Sequence, residues 1–414
     1  MADPIFSPDG KWMWTGSEWI PAPPSAALDA NSIINLEDSM MSGNVNVVQN
    51  SNDASSAISL KDSAMSGDIN ITQNNAEDIA TAMIHALDRL GFSGQSTPAE
   101  LTPSQEIEVE QVLEMSDKLT GHGIEIDPWT EIRIGDAARL AGKTESAENY
   151  YFSALDIFRN NGDKSGEAHS LNGLGIIANL RGEFTKAEQF LRECLAIMRG
   201  IGDQEGEANS LCGLADTAQS RGDLEGALNL NRESLAIRRR IGDKKGEAIS
   251  LSGLGGLAYF SQDIPRSEGF FRASLAIRQE IGDRKGEAVS LNNLGNIAEL
   301  QGDSAEAERL LQESMAISSG MGILKDVAIT LSNLARLKKG SGDLNGAVER
   351  LRESLTIRRK IGHREGEAAA LVSLAIIAEE LNDFTEQQRL NSEAVKIWRE
   401  IGTPVPQWYL DNGY

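Results

Sequence analysis

A glycine recurs every forty residues through most of this chain, each time within a similar stretch of sequence. Two examples are IGDQEGEANSLCGLADTAQSRGD, which begins at Ile201, and IGDRKGEAVSLNNLGNIAELQGD, which begins at Ile281. The seven positions are Gly162, Gly202, Gly242, Gly282, Gly322, Gly362 and Gly402. Self-similarity at a fixed period of this size is typical of a solenoid, in which each repeat packs only on its neighbours. The period therefore indicates the fold class before any local motif is considered.

Within one repeat, two helical stripes of small and apolar residues are separated by a short turn. The stripes of one repeat are Ala288, Leu291, Leu294, Gly295 and Ala298, followed by Ala307, Leu310, Leu311 and Met315. Asp283 is placed to cap the first helix, and the recurring glycine suits a left-handed cap at the end of the second helix. We therefore predict that each repeat is a helical hairpin.

The stretch ARLAGKTESAENYYFSAL, residues 138–155, resembles a tetratricopeptide (TPR) helix pair. It has a small residue, a Gly turn and then Ala-x-x-x-Tyr-x-x-Ala-Leu. The forty-residue form is similar to the arrays of the Partner-of-Inscuteable adaptors and, more loosely, to those of kinesin light chains. The resemblance covers residues 122–402 and implies an all-α fold, a right-handed α-solenoid of seven helical hairpins. TPR units usually have about 34 residues, so longer helices or connections are expected here.

In TPR proteins the first helices of successive repeats line a concave groove that binds an extended peptide or a partner helix. Carried over to this chain, the resemblance implies a polar groove rich in Asn and Ser. Amide side chains both donate and accept hydrogen bonds, so they can pair with a ligand backbone of any sequence. The candidate groove residues are Asn172, Asn179, Asn209, Asp216, Gln219, Ser252, Tyr259, Asn292, Asn293, Asn296, Glu299, Ser332 and Arg336. The alternative is that these are solvated helix positions.

Two local patterns suggest other functions but fit the helical repeat better. The stretch from Gly253 to Ala258 matches a dinucleotide-binding pattern, yet it falls in the middle of a predicted helix, where no strand precedes the glycines. The basic triplets at residues 238–240 and 358–360 could bind nucleic acid. Because they lie at predicted helix C-termini, we interpret them as solvated cations that complement the helix dipole.

No motif in the sequence supports catalysis, a cofactor or a metal site. The four histidines lack a metal-binding spacing, and the phosphate-binding, zinc-protease and hydrolase motifs are missing. Cys194 and Cys212 are the two cysteines, and we interpret both as packing residues rather than a redox pair. We therefore predict that the protein is not an enzyme and has no cofactor.

Charge and composition narrow the choice of partner. A net charge of −23 argues against nucleic acid as a partner and against anionic membranes. The acidic, Pro-interrupted start is unlike a secretory signal, and no apolar run is long enough to span a membrane. We therefore expect a cytoplasmic protein without membrane insertion.

The first 121 residues differ from the array and divide into three predicted segments. Residues 1–24 form a Trp-rich hairpin-like element in which Trp12, Trp14 and Trp19 are a secondary candidate surface. Residues 25–75 hold two 24-residue repeats, INLEDSMMSGNVNVVQN and ISLKDSAMSGDINITQN, of strand-like alternation. Together these two segments predict a small β-rich appendage, and one hypothesis is that residues 25–75 drive self-association. Residues 76–121 are a helical linker and N-terminal cap.

After the array, residues 403–414 are a C-terminal tail. The whole pattern predicts a non-catalytic scaffold or adaptor that holds a protein or peptide in the groove. The alternative is a peptide-sensing regulatory receptor, in which the N-terminal part transmits the bound state or drives self-association.

Overall fold

The computed structural model describes residues 5–6, 12–14, 19–21, 73–92, 98 and 101–413. Its contacts divide the chain into two compact units. One unit comprises residues 40–217, and the other comprises residues 1–39 together with residues 218–414. The boundary falls near the end of a helix.

Residues 40–217 form an all-helical unit in the part that is described. Its helices are α1 (Gln73–Arg89), α2 (Pro103–Gly121), α3 (Pro128–Leu140), α4 (Thr144–Asn161), α5 (Lys164–Leu180), α6 (Phe184–Ile201) and α7 (Gln204–Ser220), whose last three residues belong to the other unit. From α1 to α6, each helix packs on the next. Within residues 76–121, for which a helical linker and cap are predicted, the structure has most of α1 and all of α2. The α1–α2 pair packs on α3 through an apolar core that includes Val109, Val112 and Ile134.

Ten helices follow in the second unit. They are α8 (Leu224–Ile241), α9 (Lys244–Phe260), α10 (Ile264–Glu280), α11 (Arg284–Leu300), α12 (Ser304–Met321), α13 (Leu324–Gly340), α14 (Leu344–Lys360), α15 (Arg364–Glu380), α16 (Phe384–Glu400) and the short α17 (Gln407–Asp411). From α8 to α16, each helix packs on the next. Trp398 and Tyr409 meet edge to face at 5.1 Å, so α17 covers the last hairpin.

Among the described residues before α1 there are three short strands: β1 (Ile5–Phe6), β2 (Trp12–Trp14) and β3 (Trp19–Pro21). They pair antiparallel in the order β1-β2-β3, with Trp14 opposite Ile5 on one side and Trp19 on the other. Of the predicted 24-residue repeats, residues 25–72 lie outside the described residues, and residues 73–75 begin α1. The prediction of self-association through residues 25–75 therefore falls almost entirely outside the described residues.

The start and stop signals predicted for the hairpins are confirmed. The Asp283 carboxylate accepts a hydrogen bond from the Gly286 amide at 3.0 Å and so caps α11. All seven recurring glycines have positive φ, between 70° and 79°. This left-handed conformation satisfies the last carbonyls of the second helix at little steric cost only when the residue is glycine.

A second regularity joins the end of one hairpin to the start of the next. A large side chain near the end of a second helix packs over the glycine eight residues later. A Cβ added to Gly166, Gly206 or Gly286 would come within 2.3 Å, 2.4 Å and 2.7 Å of Phe158, Met198 and Arg278 respectively. Where the large residue is replaced by Ser318, the position eight residues later is Asp326 instead of glycine. Size is therefore matched locally across each junction.

Candidate functional site

In residues 40–217 the predicted groove residues lie on one accessible face of α5 and α7. Asn172, Asn179, Asn209 and Asp216 are all half-buried. The Asn179 amide donates to Thr217 Oγ1 at 2.8 Å, which ties the two helices together. This face, which we call the first-helix face, therefore presents amide and carboxylate groups to solvent.

Aromatic and apolar side chains flank these amides. The rings of Trp129 and His169 meet edge to face at 5.3 Å, and both residues are half-buried. His169 Nδ1 lies 2.8 Å from the Ser165 carbonyl, which fixes the ring. Ile176, between Asn172 and Asn179 on α5, is also half-buried. The first-helix face thus combines polar groups that can pair with a backbone and apolar groups that can hold a side chain.

In residues 218–414 the corresponding positions are far less accessible. Asn292, Asn293 and Asn296 on α11 are 4%, 0% and 1% exposed, and Ser252 and Ser332 are 6% and 1% exposed. The Asn333 amide donates to Asn292 Oδ1 at 2.9 Å, so an asparagine of α13 pairs with one of α11. Gln219, Tyr259, Glu299 and Arg336 remain half-buried. Asn292 and Asn296 thus take part in hydrogen bonds between neighbouring first helices.

Arg336 of α13 joins Asn292, Asn296, Glu299 and Asn333 in a polar layer between α11 and α13. Its guanidinium donates to Asn296 Oδ1 at 2.8 Å and pairs with the Glu299 carboxylate at 2.5 Å. Within the described residues, the buried atoms of the layer without a hydrogen-bond partner include Asn296 Nδ2, Asn333 Oδ1 and Arg336 Nε. Buried polar atoms are rarely left unpaired, so this layer retains donor and acceptor capacity that the protein itself does not use.

The interpretation of the basic triplets as solvated was wrong for their first members. Arg238 and Arg358 are 2% and 4% exposed, and Arg278, which holds the same position in another repeat, is 1% exposed. Arg238 and Arg278 donate to the Gly246 and Gly286 carbonyls, each at 2.6 Å, and Arg358 donates to the Gly366 carbonyl. Burial lowers the pKa of Arg358 to about 10. These arginines fill core positions occupied by Phe158 and Met198 in earlier repeats.

The second arginine of the triplet remains exposed and forms an ion pair with the next hairpin. Arg239 pairs with Glu247 at 2.7 Å, and Arg359 pairs with Glu367 at 2.8 Å. Arg159 and Arg199 make the same contact with Glu167 and Glu207. These cations thus form ion pairs between successive hairpins.

Both cysteines are buried and neither forms a disulfide, as expected for packing residues. Cys194 Sγ lies 3.1 Å from Ser210 Oγ, and burial raises the pKa of its thiol to about 11. The described part of the chain contains no cluster of three potential metal ligands. None of the described helices has the length and apolar character needed to cross a membrane. The tryptophans of the secondary candidate surface lie in β2 and β3.

Cys194 is expected to resist alkylation in the native protein. At pH 7.5 we expect iodoacetamide to label it at least a hundredfold more slowly than in denaturing urea, because only the thiolate reacts and burial disfavours the thiolate. Mass spectrometry of the digested protein after timed quenching gives both rates. Similar rates in the native and unfolded protein would show that α6 opens readily around this thiol.

Comparison with known proteins settles the family. A family model described as tetratricopeptide repeat matches residues 127–200, 166–240, 246–319 and 326–400, which together cover more than half of the chain. The chain belongs to the tetratricopeptide repeat family. No curated protein sequence is significantly similar to this tetratricopeptide repeat protein.

Solved structures of the same fold are similar to it at low sequence identity. A Rap protein complexed with Competence and Sporulation Factor has a TM-score of 0.59 and 14% identity, covering 81% of this chain and 89% of that chain. The apo form of the quorum sensor NprR from B. thuringiensis has a TM-score of 0.56 and 13% identity, covering 78% of this chain and 99% of that chain. Kinesin light chain repeats from Podosopora anserina have a TM-score of 0.39 and 20% identity, covering 47% and 95%. At these identities the likeness concerns the fold alone.

Two features escaped the sequence interpretation. The buried arginines escaped because charge suggested solvent, although their register with Phe158 and Met198 could have indicated the core. Glu131 escaped for the same reason, although leucine occupies its position in the later repeats. In both cases the residue differs in type from the residues at the equivalent position of other repeats, forty residues apart.

Proposed function

We propose that this protein is a non-catalytic scaffold or adaptor that binds an extended peptide or partner helix along its first helices. The observation that carries the proposal is the first-helix face of α5 and α7, where half-buried amides alternate with Ile176 and the Trp129–His169 pair. Amides at helical spacing can pair with successive peptide groups of a ligand, and the apolar side chains can hold one of its side chains.

The buried layer of α11 and α13 supports the same proposal in residues 218–414. The hydrogen bonds of Asn292 with Asn333 and of Asn296 with Arg336 hold α11 and α13 together beside the half-buried Glu299. Ser252, Asn292, Asn293 and Ser332 pack in or beside this layer, and Gln219, Tyr259 and Glu299 are more accessible. All of these stay in the proposal as groove residues, the buried ones acting by holding the accessible ones in place.

A peptide-sensing receptor is the second candidate. It is favoured by the description of one structure of this fold as a Rap protein complexed with a sporulation factor, and of another as a quorum sensor. In that case the ligand would change the oligomeric state or the arrangement of the hairpins, and the N-terminal β-rich part would transmit the change. Self-association through residues 25–75, a cytoplasmic location and likeness to the Partner-of-Inscuteable adaptors remain predictions.

Loss of two amides on the first-helix face tests the proposal. A display library of random short peptides is panned against the full-length protein, and the affinity of the best peptide is measured by calorimetry. Asn172→Ala and Asn209→Ala are each expected to weaken binding about tenfold, the effect of roughly 1.4 kcal/mol for one lost hydrogen bond. Asn292→Ala is avoided because it would disturb the bond from Asn333 and hence the packing.

Arg192→Ala is the matched control, since Arg192 is exposed on the second helix α6 and pairs with Glu188 in its own helix. It should leave the affinity unchanged. Selection of no peptide, or equal binding by both asparagine variants and the parent protein, would contradict the groove as the binding site. Light scattering and small-angle X-ray scattering, each with and without the selected peptide, separate the two candidates, because only a receptor of the second kind changes its oligomeric state or the arrangement of its hairpins.

A further inference from the structure

Glu131 occupies a core position that is leucine in every later repeat. The corresponding residues are Leu171, Leu211, Leu251, Leu291, Leu331 and Leu371, all at most 3% exposed. Glu131 is itself only 6% exposed, so the carboxyl group lies where the array otherwise packs an isobutyl side chain. A buried carboxylate is costly unless it is paired, and this exception therefore requires an explanation.

Only one of the two oxygens of the buried Glu131 carboxyl group is hydrogen-bonded. Ser153 Oγ on α4 donates to Glu131 Oε1 at 2.8 Å. The other oxygen, Oε2, is buried and has no hydrogen-bond partner among the residues that the structure describes. Later repeats mostly have an exposed glutamate at the position of Ser153 and a buried leucine at the position of Glu131. In this repeat the carboxyl group is therefore at the buried position of the two.

This carboxyl group lies beside the polar contact that fastens α2 to the first hairpin. Tyr150, one turn before Ser153 on α4, donates to Ser116 Oγ on α2 at 2.7 Å, and Ser116 is fully buried. Burial raises the pKa of Tyr150, and the nearby charges of Asp117 and Glu131 add to the effect. Glu131 is therefore close to the interface between α2 and α4.

The charged groups around Glu131 do not favour its ionised form. The neighbouring charge is Asp127, the N-cap of α3, and Asp117 of α2 lies near Tyr150. Of the basic residues that follow Glu131, Arg133 pairs with Asp88, and Lys143 pairs with Glu110 at 2.6 Å. Burial is the main reason that the pKa of Glu131 is raised to about 7, against an ordinary value of 4.5.

We propose that Glu131 makes the docking of the N-terminal helix pair α1–α2 on the first hairpin sensitive to pH. While α2 is docked, the carboxyl group stays protonated in its leucine-like position. Ionisation at higher pH places an uncompensated charge at the interface and favours undocking of α2, which admits water to the carboxylate. Because the folded form binds the proton more tightly than the unfolded form, the stability from this group is present at acidic pH and is lost as the pH rises through 7.

Hydrogen exchange of the full chain tests this proposal. Between pH 6 and pH 8 we expect the protection of peptides from residues 103–121 to fall about tenfold after correction for the intrinsic exchange rate, as follows from the raised pKa. Peptides from α11 and α12 serve as the internal reference. Glu131→Leu and Glu131→Gln should both abolish the pH-dependent fall, and Glu131→Leu should give the stronger protection at pH 8.

Asp156→Asn is the control, since Asp156 is an exposed carboxylate on the same helix as Ser153. It should retain the pH-dependent fall. The proposal is overturned if α2 in the parent protein is equally protected at both pH values, or if the fall persists in the two Glu131 variants. Two variants of different polarity guard against the case in which one of them fails to fold.

Discussion

Replacing Gly166 by alanine is expected to lower the free energy of unfolding by about 3 kcal/mol, at the upper end for overpacking of a core. A Cβ at this position would come 2.3 Å from two ring atoms of Phe158, which is 1% exposed and held between helices. The ring cannot move aside without displacing the core of the first hairpin. Urea unfolding followed by circular dichroism measures the loss, and hydrogen exchange of α4 and α5 localises it.

Gly200→Ala is the matched control in the neighbouring second helix. Among the described residues, no heavy atom outside the local helix lies within 4 Å of the added Cβ. Alanine should therefore stabilise the protein by about 0.5 kcal/mol through its better helix propensity. Equal destabilisation by both substitutions would mean that the glycine–aromatic contact does not determine the packing of the first hairpin.

The second large effect is expected at Arg358. Truncation to alanine should cost about 3 kcal/mol, because it leaves a cavity and removes the hydrogen bonds to the Gly366 carbonyl and to Ser332 Oγ. Methionine at the same position should be within about 1 kcal/mol of the parent, or more stable. Replacing a buried ion by a well-packed apolar side chain is often neutral or favourable.

The chain itself supplies the precedent for this pair of variants. Met198 holds the same position in an earlier repeat and packs over Gly206 as Arg358 packs over Gly366. Thermal and urea unfolding of the two variants, measured against the parent, decide the outcome. If methionine proves as harmful as alanine, the hydrogen bond to the carbonyl contributes more than the packing of the side chain.

The parts of this structure that depend on near neighbours in the chain could be predicted from the sequence. The Asp283 cap and the left-handed glycines follow from residue type and spacing, since each interacts within a few residues. The all-helical array follows from the period. The sequence also indicated which face of the first helices carries the amides.

What could not be predicted is how deeply each of those amides lies. Asn172 and Asn292 occupy the same position in their repeats, yet the first is half-buried and the second is 4% exposed. The difference depends on how closely neighbouring helices approach, which a single repeat does not encode. Residues such as Arg238 and Glu131 were misjudged or missed for a related reason, because a charged residue type says little about burial when the rest of its column is apolar.

The size matching across the hairpin junctions constrains how such an array can be assembled during evolution. The large residue and its glycine belong to adjacent hairpins but are only eight residues apart, as are Ser318 and Asp326. If a forty-residue block that begins and ends between hairpins were copied or exchanged, the two members of each pair would be separated. Asp326 would then follow a hairpin that has an arginine, such as Arg278 or Arg358, at the position of Ser318. Blocks with ends inside a hairpin keep each pair intact. We therefore expect the segment duplicated in evolution to begin with the second helix of one hairpin and to end with the first helix of the next.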